Sequence, residues 1–305
     1  MRICSFLPGA TEILFGLGLG DDIVGVTHEC DYPPAAKNKP VIVRSGVETD
    51  RATSLEIDRQ VREALFVGKG LYTIDAGALA KAAPDLILTQ ALCDVCALDY
   101  GEVVKAARAL PQQPEILSLS PHSLEDVLED ISRIGKATER EREAQSLVIL
   151  LRSRIAAVSG RAAQAAFRPR VACLEWFDPL YAAGHWVPEM VALAGGRDIL
   201  GCMKEPSAKF DWGQLLDLKP EVLILMACGF NLPRTRTEAA RLTKLAGWNE
   251  LPAIRMGKVF AVDGGSYFSR PGPRLVNGLE FLARIIHPEL FSLQAPADAV
   301  ERISI

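Results

Sequence analysis

The chain has 305 residues, 49% of them hydrophobic and 24% charged, the balance of a folded protein of about two domains at roughly 150 residues each. Its 34 Lys and Arg against 38 Asp and Glu leave a net charge of −4, so it has no large basic surface for nucleic acid. No apolar run reaches the ~18 residues that cross a bilayer, so no membrane insertion is expected.

Arg2–Leu7 reads as a first strand, followed after Pro8-Gly9 by a helix over Thr11–Leu17. A secretory leader would place an apolar stretch of ~7–15 residues and a cleavage site ahead of the fold; the expected compartment is therefore the cytoplasm. There disulfides are rare, and the 7 cysteines read as thiols or metal ligands. Gly16-Leu17-Gly18-Leu19-Gly20 follows a helix and precedes the strand Ile23–Thr27, so it reads as a helix stop, not a dinucleotide loop. Thr53 and Glu56 form a capping-box pattern opening a short amphipathic helix over Thr53–Ala64. Asp85–Thr89 and Glu115–Leu119 are the next strands.

Ser123 to Ala166 has almost no breakers. Leu124, Val127, Leu128, Ile131 and Ile134, then Leu147, Val148, Leu151 and Ile155, recur at helical spacing. One helix of that length spans roughly 60 Å; Gly135 and Thr138 are the places where it could break. Beyond it the first pattern returns. Strands at Arg170–Glu175, Val222–Met226 and Val259–Val262 alternate with helical stretches such as Pro188–Ala194. Apolar runs of four to six residues alternating with helices indicate parallel sheets covered on both faces. The expected class is α/β, with two Rossmann-like lobes of parallel-rich sheet, residues 1–122 and 167–305, joined by a long spine helix at 123–166.

The chemistry-bearing residues cluster where strands end, the edge at which open α/β sheets bind ligands. His28, Glu29, Cys30 and Tyr32 follow the second strand, and Cys93-Asp94-Val95-Cys96 follows Asp85–Thr89. A CxxC pair offers two sulfurs to one metal or a redox dithiol, and the further ligands would come from Cys30, Cys228, His28 or His185. In the second half Trp176, His185, Trp186, Phe230, Tyr267 and Phe268 lie in loops on one predicted edge, with Arg270 and Arg274 beside them. Such aromatics suit a large flat ligand, and the arginines suit its carboxylate, amide or phosphate rim. The bland reading of Arg274 is a cap on the last helix. No G-x-S-x-G elbow or H-E-x-x-H helix is present to suggest a hydrolase.

Ser5-Phe6-Leu7-Pro8-Gly9-Ala10-Thr11-Glu12-Ile13-Leu14, Lys81-Ala82-Ala83-Pro84-Asp85-Leu86-Ile87-Leu88, Ala194-Gly195-Gly196 and Leu218-Lys219-Pro220-Glu221-Val222-Leu223-Ile224 resemble the cobalamin- and siderophore-binding proteins of ABC importers over nearly the whole chain. The resemblance implies a two-lobed clamshell with a spine helix and a small-molecule or metal-chelate ligand held between the lobes. Cobalamin or a related corrinoid is the first expectation; a cytosolic metal protein holding zinc or an iron–sulfur cluster on Cys93, Cys96, Cys30 and Cys228 is the alternative. Importers of this type present a glutamate on each lobe to the permease. Here those places fall at about Gly77 and at Gly213, so permease docking is not expected.

Overall fold

A computed structural model of the chain describes residues 1–49, 51–67, 70–90, 100–292 and 295–303. They form two compact units. The first comprises Met1–Pro121, Glu125–Leu150 and Pro271–Pro273; the second comprises His122–Leu124, Leu151–Arg270 and Arg274–Ile305.

The first unit is built on strands β1 (Ile3–Ser5), β2 (Ile23–Thr27), β3 (Val41–Ser45), β4 (Tyr72–Ile74), β5 (Leu86–Thr89) and β6 (Glu115–Ser118), in the order β4-β3-β2-β1-β5-β6. Every neighbouring pair is parallel except β3 with β4. The Leu-Ile-Leu-Thr of β5 is buried at each position, as expected of a parallel strand covered on both faces. Winding runs outward from β1 to β2 and β3, then to β5 and β6 on its other side. This places a topological switch point beside β1.

Pro8 opens the helix Pro8–Gly16, where its fixed φ is already helical. The helix stops as read, with Gly18 at φ +76°. The helix Ser54–Phe66 begins on its capping box: Thr53 Oγ1 accepts the Glu56 amide at 3.3 Å, and Glu56 Oε2 accepts the Thr53 amide at 2.8 Å.

The long linking segment is not one helix. It forms Leu124–Ala137 and Glu141–Ala162, with Glu139 between them at φ +56°. The cause lies at Gly135. A Cβ there would come within 2.4 Å of Ala144 Cβ, so the bare glycine lets the second helix double back closely against the first. Thr138 Oγ1 donates to Ile134 O at 2.8 Å and closes the first helix. No helix among the described residues is long and apolar enough to cross a membrane.

The second unit carries β7 (Arg170–Phe177), β8 (Leu180–Ala182), β9 (Arg197–Asp198), β10 (Ala208–Lys209), β11 (Val222–Leu225), β12 (Val259–Val262) and β13 (Val300–Arg302). Their order is β10-β8-β7-β11-β12-β13, with β9 also on β7. β7, β11 and β12 are mutually parallel and form the buried centre; β8 and β13 flank them antiparallel, and β10 pairs antiparallel with β8.

One buried carboxylate gives this unit a pH-dependent stability. Asp198 Oδ1 accepts the amides of Leu200 and Gly201 at 2.9 and 2.8 Å, while Oδ2 is buried without a hydrogen bond. Burial raises its pKa to about 6 despite those two amides. The folded state thus holds the proton more tightly than the unfolded chain, and stability falls as pH rises from about 4 to about 6. Asp198→Asn keeps an acceptor and removes the buried charge. It is expected to stabilise the protein by on the order of 1–3 kcal/mol at pH 8 and by almost nothing at pH 4. Urea unfolding at the two pH values measures this; an equal effect at both would assign the change to packing.

Candidate functional site at the carboxyl edge of the second sheet

The carboxyl end of β7, which holds Glu175 and Trp176 within the strand and not in a loop as expected, is tied side by side with the loops that leave β11 and β12. The Cys228 amide donates to Glu175 O at 2.9 Å, and the Gly265 amide donates to Phe230 O at 3.0 Å. Gly229 turns between them at φ +72°. This lacing brings Trp176 and Phe230 to a ring-centroid distance of 5.2 Å, tilted by 54°. Arg234 covers the other ring, its guanidinium carbon 3.7 Å from the Phe230 centroid. Asn231 sets that position by capping the helix Leu232–Ala239: its Oδ1 accepts the Arg234 amide at 3.1 Å. Phe230 is buried, while Trp176 and Arg234 are half-buried. The result is a ledge of indole, phenyl and guanidinium with a buried centre and two accessible ends. Glu175 lies next to it, its Oε2 accepting the Ser207 hydroxyl at 2.8 Å.

After β12, Asp263 Oδ1 accepts the Ser266 amide at 2.7 Å and caps the short helix Gly264–Tyr267. Burial raises the Asp263 pKa, opposed by the Ser266 hydrogen bonds and then by the charges of Arg270 and Arg274. Arg274 also stands 5.5 Å over the Tyr267 ring, which meets Phe281 edge-on at 5.0 Å. It occupies the N-cap of the helix Leu275–Ile286 without a side-chain capping bond. Its guanidinium thus stands near both Asp263 and Tyr267.

The second histidine of the sequence reading, His185, sits between β8 and the helix Val187–Leu193 at φ +53°. Its amide donates to Glu205 O at 2.6 Å and its carbonyl accepts the Lys204 amide at 2.9 Å. His122 lies beside it, ring centroids 6.0 Å apart. Burial, then the charge of His122, lowers the His185 pKa.

Three expected ligand-facing aromatics are core residues instead. Trp186, Phe230 and Phe268 are each at most 4% exposed. The Trp186 indole donates to Phe268 O at 2.8 Å, and the Phe268 ring packs where a Cβ on Gly278 would meet it at 3.1 Å. A loop residue is buried when a helix lies over the loop, and here the last helix does so. Phe230 keeps an indirect role as the middle of the ledge.

In the first unit, Cys30 is buried and meets Thr11 Oγ1 at 3.0 Å, and that hydroxyl donates to Ser5 Oγ at 2.8 Å. The thiol thus belongs to an internal hydrogen-bond chain. His28 lies 3.4 Å from Thr27 Oγ1 through Nδ1 and 3.7 Å from Glu29 through Nε2. Tyr32 is 45% exposed. Cys228 is half-buried. Among the described residues no three His, Cys, Asp or Glu side chains are grouped to hold a metal, so the expected donor set is not assembled from Cys30, Cys228, His28 and His185. Cys93 and Cys96 lie outside the described residues. The remaining buried thiols are not ligands in waiting: burial pushes Cys4 up to about 12 and Cys173 well above the usual thiol range.

Gly77 and Gly213 occupy equivalent places. Each is the second residue of a seven-residue helix, Ala76–Ala82 and Trp212–Leu218, each preceded by an aspartate. Both glycines are exposed.

Arg234, Ser207 and His122 escaped the sequence reading. Arg234 could have been found from Asn231, whose capping preference fixes where the helix after Phe230 starts. His122 carried a weaker signal, as one of only 4 histidines and just past the end of β6.

A family model described as periplasmic binding protein matches residues 3–264. A substrate-binding lipoprotein of an ABC transporter from Bacillus subtilis, itself uncharacterized, is 24% identical over 296 residues, 95% of this chain and 81% of the relative. The vitamin B12-binding protein of Vibrio cholerae is 24% identical over 288 residues, 92% of this chain and 86% of the relative. Among solved structures, a periplasmic heme-binding protein from Pseudomonas aeruginosa aligns with a TM-score of 0.74 at 18% identity, covering 100% of this chain and 98% of the other. The periplasmic vitamin B12-binding protein of Vibrio cholerae aligns with a TM-score of 0.68 at 21% identity, covering 94% and 96%. The two-lobed α/β fold is thereby shown. The descriptions of these relatives give the cytosolic expectation no support.

Proposed function

The chain belongs to the periplasmic binding protein family, and from that premise we propose that it binds a flat metal chelate of the corrinoid or haem class. The observation that carries the reading is the Trp176–Phe230–Arg234 ledge at the carboxyl edge of the second sheet. A half-buried indole backed by a buried phenyl offers rigid apolar area to a macrocycle, and Arg234 supplies a fixed cation for a carboxylate or amide on its rim. Arg274, held over Tyr267, is a second cation of the same kind. Relatives described as binding vitamin B12 and heme support this class of ligand over a bare ion.

The test is an absorption titration with hydroxocobalamin, dicyanocobinamide and haemin, followed by gel filtration. At least one is expected to shift its visible band at micromolar protein and to co-elute. Trp176→Ala and Arg234→Ala are each expected to weaken that complex about tenfold or more while leaving the fold intact, since about 1.4 kcal/mol of contact energy is tenfold in affinity. Failure of all three compounds to co-elute would overturn the chelate reading. Retained affinity in both variants would move the ligand off the ledge.

A further inference from the structure

We propose that His122 and His185 form a two-imidazole site for a borderline divalent cation of the zinc, copper or nickel class, distinct from the aromatic ledge. Two imidazoles sharing one ion at the usual ~2.0–2.1 Å metal–nitrogen distance stand with ring centroids roughly 5–6 Å apart. The two rings here are 6.0 Å apart and inclined by 48°. Imidazole nitrogen suits these metals, whereas magnesium and calcium prefer oxygen.

The backbone around both members of the pair is held by specific contacts. His185 takes a left-handed backbone, φ +53°, a conformation that costs a residue with a Cβ and persists only where the surroundings impose it. The 202–205 turn imposes it, gripping the His185 amide from Glu205 O and its carbonyl through the Lys204 amide. On the other side Trp186 is anchored to Phe268 O. The segment bearing His122 is registered over this turn by Glu189, whose Oε2 accepts the Leu124 amide at 3.0 Å. One helix, Val187–Leu193, thus begins beside one imidazole and fixes the segment that delivers the other.

His185 Nδ1 is buried and accepts no hydrogen bond from protein, and a buried polar atom in that state calls for a water or an ion. Charged groups on the segments that carry or contact the pair include Glu125 and Asp126 at the start of the helix Leu124–Ala137, Glu189, Lys204 and Glu205. Glu189 is engaged with the Leu124 amide, and Glu205 and Lys204 meet His185 through backbone atoms. The ion would rest on one nitrogen from each imidazole, with water completing its shell. This is an open site with room for exchange, unlike a closed structural one.

The experiment is calorimetric titration of the untagged protein with ZnCl2 and CuCl2, with electron paramagnetic resonance of the copper form. One ion per chain at micromolar affinity is expected, with nitrogen hyperfine structure from two imidazoles. His122→Ala and His185→Ala are each expected to weaken binding about tenfold or more, the double variant to abolish it, and His28→Ala to change nothing. Affinity is expected to fall in acid, where protons compete with the ion for its ligand nitrogens. Circular dichroism and His185→Asn, which tolerates the left-handed backbone better, guard against loss through misfolding: His185→Asn is expected to fold and still to lose the ion. Wild-type affinity in the double variant, or copper spectra without two nitrogens, would overturn the site. Since the probe is the metal alone, failure here leaves the chelate reading to its own titration, and success does not depend on that reading.

Discussion

Trp186→Ala is expected to destabilise the second unit by about 3–5 kcal/mol, the range for removing a large aromatic from a core. Trp186 is 4% exposed. Its indole fills the space at the start of the helix Val187–Leu193, whose Val187, Pro188, Met190 and Val191 are also buried. Truncation also strands the Phe268 carbonyl, which accepts the indole N–H at 2.8 Å. A buried acceptor left without its donor costs about 1–3 kcal/mol by itself. Trp186→Phe separates the two contributions, because it keeps most of the packing and loses only the hydrogen bond. It is expected to fall between wild type and alanine in urea unfolding. Chelate affinity, corrected for the folded fraction, is expected to be unchanged in Trp186→Phe, since the ring is closed to a ligand. A Trp186→Ala variant of wild-type stability that no longer binds would make the ring a ligand contact after all.

That contrast shows where reading the sequence succeeds and where it stops. The strands Ile23–Thr27 and Val259–Val262 have the same bounds in sequence and structure, because a parallel strand buried on both faces is apolar at successive positions and cannot hide. The Thr53–Glu56 capping box is equally local and equally visible. The strands β3, β4, β8, β9, β10 and β13 are not legible: all but β3 have two or three residues, which show no period, and their pairing is set by distant neighbours. The linking helix breaks after Ala137, with Glu139 at φ +56°, and Gly135 makes room there for Ala144, a contact that no local pattern encodes. The same limit governs the site. Trp176 lies at the carboxyl end of β7 rather than in a loop, and Trp186, Phe230 and Phe268 lie between elements; position on the chain does not say which face water. Only the helix Leu275–Ile286 closing over Phe268, and the loop-to-loop amide from Gly265 to Phe230, divide core from ledge.

Gly264→Ala is expected to be more damaging than its single added methyl suggests. A Cβ at residue 264 would lie 2.3 Å from Ala227 O and 2.7 Å from Met226 O. Both are backbone atoms of the loop leaving β11, so no side-chain rotation relieves the clash; the two loops must part. The Gly265 amide then loses Phe230 O, which it now meets at 3.0 Å, and the Phe230 ring shifts against Trp176 and Arg234. Overpacking a core typically costs about 1–3 kcal/mol, and a clash with two carbonyls belongs at or above the top of that range. Gly213→Ala is the matched control. Its Cβ would meet nothing within 4 Å, and it lies in the helix Trp212–Leu218, where alanine is favoured over glycine by roughly 0.5–1 kcal/mol. The same methyl is thus expected to stabilise at 213 and to destabilise at 264. Chelate binding should survive the first and weaken in the second even at temperatures where Gly264→Ala remains folded. If Gly264→Ala matched wild type in both unfolding and binding, the loops after β11 and β12 would not be packed against each other, and the ledge they hold up would lose its foundation.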